Sequence, residues 1–240
     1  MVMEQKTEID IIILSYAHND LLKKTTMDCI SSLIDSEDQK KIKFNIIVIE
    51  SQKELNGYQY NYSKTIYPHE AFGFHRYMNI GIGLTKSPYV CLCNNDLIFH
   101  KNWASEILNY MAEVPDLMSA SPLCSIAQPY IGFPFNSGIK IGYRAGFEIA
   151  GWCILVKREI FRIIGKLDEN FKFTAADYDY GNTLAVLNLK HGLITSSIVD
   201  HLNSTTLNTH PKDKQDELNS PDLYYFKWRH RIFPPLETLG

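Results

Sequence analysis

The sequence predicts an α/β fold built on a doubly wound, mainly parallel sheet. Three apolar runs are typical of strands covered on both faces: IDIIILSY (9–16), IKFNIIVIE (42–50) and PYVCLC (88–93). Apolar residues recur at helical spacing after each run, within 22–34, 73–87 and 102–114. This βαβαβα order through residue 115 favours parallel strands joined by right-handed helical crossovers.

The second half of the chain is less regular. Residues 124–148 are rich in glycine, proline and aromatic side chains. The run WCILV predicts a strand, and KREIFRIIG predicts a short helix that ends at Gly165. A further helix follows the acids of AADYDYG and is predicted to end at Gly192, before a last strand, LITSSIV.

The composition is that of an ordinary globular protein, with 45% apolar and 21% charged residues and a net charge of −3. Because no half of the chain is strongly basic, a dedicated nucleic-acid binder is disfavoured. The five cysteines form no evenly spaced disulfide framework, and MVMEQKTE lacks a signal-peptide core. We therefore expect a cytoplasmic protein in a reducing compartment.

Polar residues follow four of the predicted strands. The first strand leads into residues 15–19, the second ends at Glu50, the third leads into 94–96, and the last leads into 200–201. In an open parallel sheet, ligands bind outside the carboxyl ends of the strands. We therefore expect one polar site along this edge.

Two residues at that edge are candidate metal ligands. Asp96 follows a buried strand and supplies the carboxylate oxygen that Mg²⁺ and Mn²⁺ prefer, and His201 supplies a nitrogen that suits Mn²⁺. Taken alone, each has a structural alternative. Asp96 is also typical of a turn or helix cap, and His201 of an ordinary satisfied or exposed histidine.

Asp177 and Asp179 are candidate general bases for a hydroxyl group, since that role requires a carboxylate or imidazole within hydrogen-bond reach. Acids that precede a helix are also stabilised by its dipole, and that alternative stays open. Gly81 and Gly83 lack the third glycine of a dinucleotide fingerprint. The chain has neither a P-loop nor a nucleophile elbow.

Taken together, these segments resemble the family 2 glycosyltransferases over about residues 9–205. The most specific stretch is GFHRYMNIGIGLTKSPYVCLCNNDLIF (73–99), in which an Asn-x-Gly step is followed by a strand and an Asp-x-Asp-like motif. Here that motif reads Asn94-Asn95-Asp96, a variant that resembles rhamnosyltransferase-like members. The segments AGWCILVKREIFRIIGKLDENF, AADYDYG and VDHLNST are similar to the family's acceptor-side strand, its base motif and its late histidine.

The resemblance implies a GT-A fold with a smaller antiparallel portion on the acceptor side. It implies a domain over 1–205, with a nucleotide-binding part at about 9–115 and an acceptor-binding part at about 116–205. The tail, 206–240, is expected to pack on or near this domain. Its YYFKWRHRIF segment leaves peripheral membrane contact and homo-oligomer contact open.

The implied site has four parts. Asp96 and His201 hold Mn²⁺ or Mg²⁺, and Asp177 is the catalytic base, although Ala176 replaces the common Glu beside it. Trp152 stacks on a sugar ring or belongs to the core, and Asp179 orients the acceptor or caps the helix. The donor nucleotide and its diphosphate contact Ser15, Tyr16, Glu50, His75, Arg76, Asn94 and Asn95.

The implied activity is inverting transfer of a sugar from a UDP- or dTDP-sugar donor to a hydroxyl of a glycan acceptor, in polysaccharide biosynthesis. Rhamnose is the sugar that the Asn-Asn-Asp variant suggests. Two alternatives stay open. One is a sugar-nucleotide binding module without catalysis, which the Ala176 and Asn94 departures favour. The other is a sugar-phosphate nucleotidyltransferase, which is disfavoured because SYAHNDLLKK lacks a glycine-rich loop.

Overall fold

The structure is a computed structural model that describes residues 6–202, 222–227 and 229–230. Its helices are α1 (Asp20–Asp35), α2 (Phe74–Gly83), α3 (Trp103–Glu113), α4 (Ile160–Ile164) and α5 (Ala176–Val186). Its strands are β1 (Thr7–Ser15), β2 (Ile42–Glu50), β3 (Lys64–Ile66), β4 (Tyr89–Asn94), β5 (Leu97–Phe99), β6 (Leu117–Leu123), β7 (Ile139–Ile141), β8 (Cys153–Lys157) and β9 (Lys190–His201). Residues 222–227 form a further helical segment, here called the C-terminal helix.

The strands form one mixed sheet in the order β3-β2-β1-β4-β8-β6-β9-β5, and β7 also pairs with β9. Strands β1, β2, β3 and β4 are mutually parallel, and β6 is parallel to β9. Strand β8 runs antiparallel between β4 and β6, and β5 and β7 run antiparallel to β9. The predicted α/β class, with a mainly parallel sheet and a smaller antiparallel portion, is confirmed.

Alternate side chains of β1 pack against helices on opposite faces of the sheet. Ile11 and Ile13 belong to the core under α1 and α3, and Ile12 and Leu14 belong to the core under α2, α4 and α5. This alternation follows from the two-residue period of a strand. Because both faces are covered, the strand is apolar throughout its buried part, as the sequence predicts.

A cluster of polar side chains lies at the amino ends of β1 and β4. Arg158 pairs with the buried carboxylate of Asp10 at 2.7 Å, and Ser87 donates to both oxygens of Asp10 through its backbone N–H and hydroxyl. Asn45 donates to Asp10 and to Ser87. Each buried polar group here therefore has a partner, which offsets the cost of its desolvation.

One sequence prediction about the second half was wrong. Helix α5 ends at Val186 rather than at Gly192, and Gly192 lies inside β9. A Cβ on Gly192 would come within 2.6 Å of Ile139, so this glycine permits close pairing of β7 with β9 rather than ending a helix.

Within the described residues, no helix combines the length and apolarity that a bilayer crossing demands.

We predict opposite effects for two glycines on α2. A Cβ at Gly81 would lie 2.4 Å from Cγ2 of Ile12, whereas a Cβ at Gly83 meets nothing within 4 Å. Gly81→Ala should lower the free energy of unfolding by about 1–3 kcal/mol, because the added methyl group overpacks against β1. The control, Gly83→Ala, should leave the free energy of unfolding unchanged or raise it by up to about 1 kcal/mol. Urea unfolding of both variants checks this, and equal effects would contradict the close packing of α2 on β1.

Candidate functional site

Three strands bring polar residues to one edge of the sheet. In the parallel register, Ser15 of β1 lies beside Glu50 of β2, and Leu14 of β1 lies beside Asn94 of β4. This edge is at the carboxyl ends of the parallel strands, where ligands bind in sheets of this kind. The predicted convergence of these strand ends is therefore present in the fold.

Glu50 is fully buried and holds the loop that follows β1. Its Oε1 accepts backbone N–H groups from Ala17, at 3.2 Å, and Gln52, at 2.7 Å, and its Oε2 accepts the hydroxyl of Tyr60 at 2.9 Å. Burial raises the pKa of Tyr60, as does the negative charge of Glu50. Three donors offset the desolvation of this carboxylate, so Glu50 fixes the shape of the loop at Ser15–Ala17.

Ser15 and Asn95 both contact α1. The hydroxyl groups of Ser15 and Thr26 lie 3.0 Å apart, and Nδ2 of Asn95 donates to Oγ1 of Thr26 at 2.8 Å. The ring of Tyr16 lies 5.1 Å from that of His18, on the same loop. The side chains of Ser15 and Asn95 therefore join β1 and the turn after β4 to the first helix.

Asp96 and His201 face each other across the β5–β9 pair. Nε2 of His201 lies 3.2 Å from Oδ1 of Asp96, and the backbone N–H of Leu202 donates to the carbonyl of Asp96. The Asp96 side chain is almost fully buried. Although the distance to Asp96 is short, its geometry is not that of a hydrogen bond, and the buried Nε2 of His201 has no hydrogen-bond partner within the described residues.

This pair fits a divalent cation. A buried ring nitrogen without a hydrogen bond is costly, and coordination to a cation would remove that cost. The carboxylate oxygen suits either Mn²⁺ or Mg²⁺, and the imidazole nitrogen favours Mn²⁺ of the two. The described part of the chain contains no group of three or more Asp, Glu, His or Cys side chains placed to hold a metal. The remaining ligands would therefore come from a bound phosphate or from water.

Trp152 lies directly against this pair. Its ring stacks on the imidazole of His201, with centroids 5.6 Å apart and planes 14° from parallel, and its carbonyl accepts the backbone N–H of Asn94 at 2.9 Å. One ring face thus orients His201. The prediction that Trp152 also stacks on a sugar stays a prediction.

Asp177 occupies the first turn of α5, beside the turn that precedes β8. The contact with this turn is tight, because a Cβ on Gly151 would lie 2.6 Å from Cβ of Asp177. Oδ1 of Asp177 accepts the backbone N–H of Tyr178 at 2.9 Å. The carboxylate lines a small pocket formed mainly by apolar side chains, namely Phe74, Leu92, Ile154, Leu167 and Tyr180. Burial raises the pKa of Asp177 above that of an ordinary aspartate.

The turn at Gly151 and Trp152 connects the two chemical groups. Gly151 contacts Asp177, and its neighbour Trp152 stacks on His201, which in turn faces Asp96. The structure therefore brings the predicted base and the two predicted metal ligands into one continuous set of contacts. Gly151 was missed in the sequence, where it reads as an ordinary residue before a strand.

Three other predicted site residues, Asp179, Arg76 and His75, form hydrogen bonds to other groups of the protein. Asp179 is buried and accepts from Arg229 at 2.7 Å and from His230 at 2.8 Å. Arg76 donates to Glu169 and to the carbonyl of Ala71. These contacts give Asp179 and Arg76 partners within the protein.

His75 is also buried, and it lines the Asp177 pocket. Its Nδ1 lies 2.9 Å from the carbonyl of Asp168. Burial lowers the pKa of His75, so its imidazole is uncharged at neutral pH. A neutral imidazole supplies a hydrogen bond but no positive charge to a phosphate.

Comparisons with known proteins identify the family and the fold of the chain. Residues 10–161 match the family described as Glycosyl transferase family 2. A solved structure with the same fold is titled "Crystal structure of GalNAc-T7 with UDP, GalNAc and Mn2+", with a TM-score of 0.64 and 13% sequence identity. The aligned region covers 81% of this chain and 43% of that protein. No curated protein matches the sequence.

The fold is of the GT-A type, because the similarity to the solved structure extends over 81% of this chain. The chain belongs to family 2 of the glycosyl transferases, since the matched region, residues 10–161, covers more than half of its length. The resemblance identified in the sequence is therefore confirmed at the level of family and fold.

We predict that the burial of Asp177 makes stability depend on pH. Because folding raises the pKa of Asp177, the folded state binds more protons in the window above the ordinary aspartate pKa, and stability falls as pH rises through it. The Tm difference, Asp177→Asn minus parent, should therefore be more positive near neutrality than at about pH 4. Asp20→Asn, on the exposed first turn of α1, is the control for lost charge. A Tm difference between Asp177→Asn and the parent that does not change with pH would contradict the desolvation of that carboxylate.

Proposed function

We propose that this protein transfers a sugar from a nucleotide-diphosphate donor to a hydroxyl group of a glycan acceptor, with inversion at the anomeric carbon. The observation that carries the proposal is the position of Asp177. It is a half-buried carboxylate with a raised pKa that lies against Gly151, whose neighbour Trp152 stacks on His201 of the Asp96–His201 pair. A proton acceptor and a candidate cation site thus contact neighbouring residues of one turn.

On the donor side, the nucleoside would lie against the β1 loop that Glu50 holds, near Tyr16 and the strand ends at Ser15 and Asn94. We propose a UDP- or dTDP-sugar, with rhamnose the sugar suggested by the Asn-Asn-Asp variant. Asp96 and His201 would hold Mn²⁺ or Mg²⁺. When bound, the cation neutralises the charge that develops on the leaving diphosphate.

On the acceptor side, Asp177 would accept the proton of the attacking hydroxyl at one of its carboxylate oxygens. Its apolar surroundings raise its pKa and so strengthen it as a base. The acceptor oxygen forms a bond to the anomeric carbon as the bond to the diphosphate oxygen breaks. One in-line displacement inverts the centre and requires one carboxylate near the acceptor, with the base on the face opposite the leaving group.

The setting of the reaction is part of the same proposal. A glycan acceptor would place the enzyme in polysaccharide biosynthesis. All five cysteines are free and buried, which suits the reducing conditions of a cytoplasm. For the tail, residues 206–221, 228 and 231–240 lie outside the described residues, and contact with a membrane or a second copy through the tail stays a prediction.

Asp177→Asn should separate donor binding from transfer. Loss of the base should lower kcat by about 10²- to 10⁴-fold, and the thermal shift produced by UDP or dTDP should persist. Product formation from a labelled sugar nucleotide measures kcat, and a melting curve measures the thermal shift. Asp20→Asn is the matched control. Transfer at the parent rate by Asp177→Asn would overturn the assignment of the base.

Asp96→Ala and His201→Ala should each abolish the part of the donor-induced thermal shift that depends on Mn²⁺. Each removes one ligand from a two-residue site, and little protein coordination then remains. UDP and dTDP are tested separately, with Mn²⁺ and with a chelator. His69→Ala, which removes an exposed histidine, is the control. A Mn²⁺-dependent shift of parent size in both ligand variants would show that the cation binds elsewhere.

A further inference from the structure

The C-terminal helix packs on the loop that leads to Asp177. Its residues Tyr225 and Phe226 pack on a small apolar cluster formed by Phe171, Ala175 and Ala176. The rings of Tyr225 and Phe171 lie 5.2 Å apart, and those of Phe226 and Tyr178 lie 5.7 Å apart. The helix therefore covers residues on both sides of the predicted base.

Asp222 holds the middle of this loop. One oxygen of its buried carboxylate accepts the backbone N–H groups of Phe173, at 2.6 Å, and Thr174, at 2.8 Å. Charge-assisted hydrogen bonds of this kind are stronger than those between neutral groups. They fix the backbone immediately before Ala175, where the chain turns into α5.

Arg229 joins the start of this loop to the first turn of α5. Its guanidinium group lies 2.7 Å from Oδ2 of Asp168 and 2.7 Å from Oδ1 of Asp179. Tyr225 donates to the same Oδ2 of Asp168, and His230 lies against the same Oδ1 of Asp179. One cation thus ties a loop residue before α5 to the first turn of α5.

The start of α5 needs such support from outside the helix. Ala175 has a left-handed backbone with φ of 56°, and it supplies no side-chain cap. A non-glycine residue in that region costs of order 1 kcal/mol and persists where the surroundings enforce it. In α1, by contrast, Asn19 caps the helix within its own segment. The conformation that presents Asp177 is therefore maintained by contacts with the C-terminal segment.

We propose that Asp222, Tyr225 and Arg229 are positioning residues for Asp177, so that the C-terminal helix is part of the transfer machinery. This inference rests on the proposed function, because it assumes that Asp177 is the base. The three side chains act through the 168–179 loop, and none of them is assigned a contact with substrate. A displacement of about 1 Å in a reacting group can cost about 10²-fold in rate.

Arg229→Gln tests the inference in the full-length protein. We expect kcat to fall by about 10- to 100-fold, while the donor KM and the donor-induced thermal shift stay within about 3-fold of the parent. Arg229→Lys should be intermediate, because an ammonium group is a point charge and does not span two carboxylates as the planar guanidinium does. Arg162→Gln removes an exposed arginine from α4 and is the matched control.

A loss of packing alone would lower Tm without this selective effect on kcat, so each variant is assayed below its own Tm. If Arg229→Gln does not fold, Tyr225→Phe replaces it, since that change removes only the hydroxyl that donates to Asp168 at 3.0 Å. Tyr225→Phe should lower kcat about 3-fold, by the same mechanism. Parent kcat in the folded variants, or an equal loss in donor binding, would overturn the positioning role.

Asp177→Asn, assayed in parallel, separates the two hypotheses. An inactive Asp177→Asn together with parent kcat in Arg229→Gln overturns only the positioning role. Transfer at the parent rate by Asp177→Asn overturns the assigned base, and the positioning role falls with it. Loss of kcat in both variants, with donor binding retained, supports both.

Discussion

The antiparallel pairing of β8 with β4 is the constraint on which the site depends. It places Cys93 beside Cys153, and the backbone N–H of Asn94 then donates to the carbonyl of Trp152. The turn before β8 is thereby fixed at the tip of the central parallel strand. Asn94 at the end of β4 and Asp177 on α5 both contact this turn. A shift of one residue in the pairing would move every side chain of β8 to the other face of the sheet.

The site retains two groups that cost stability. The Asp177 carboxylate is desolvated, and Nε2 of His201 is buried with no hydrogen-bond partner in the described part of the chain. Elsewhere, buried polar groups such as Glu50 and Asp10 have several partners. Groups that cost stability in this way concentrate at functional sites, where a ligand or a reacting group can supply a compensating interaction.

Much of the fold could be predicted because β1, β2 and β4 are apolar on both faces, and such runs read clearly as strands. Strand β6 was harder, since Ser119, Ser121 and Pro122 suggest a turn. In the structure the hydroxyl of Ser119 contacts Tyr180 and His191, and that of Ser121 accepts from Ala150, so distant parts of the chain satisfy these side chains. The local sequence pattern around β6 does not indicate these distant hydrogen-bond partners.

The same limit applied to the site. The strand-end residues Glu50 and Asp96 were accessible to sequence reasoning, because parallel strands end at a common edge. Without the family resemblance, Asp177 and Asp179 looked equivalent, as both lie in the first turn of α5. What distinguishes them is Arg229, which neutralises Asp179 from fifty positions further along the chain, whereas Asp177 is left among apolar side chains. Neither periodicity nor composition reports a pairing at that separation.

The Asp10–Arg158 cluster has a consequence for protein engineering. It lies at the amino ends of the strands, and the candidate catalytic groups lie at their carboxyl ends. Mutations at sites more than about 10 Å apart with no shared partners usually have additive effects. Thermostabilising substitutions at the amino edge and redesign of the candidate site at the opposite edge can therefore proceed as separate libraries, combined afterwards without rescreening every pair.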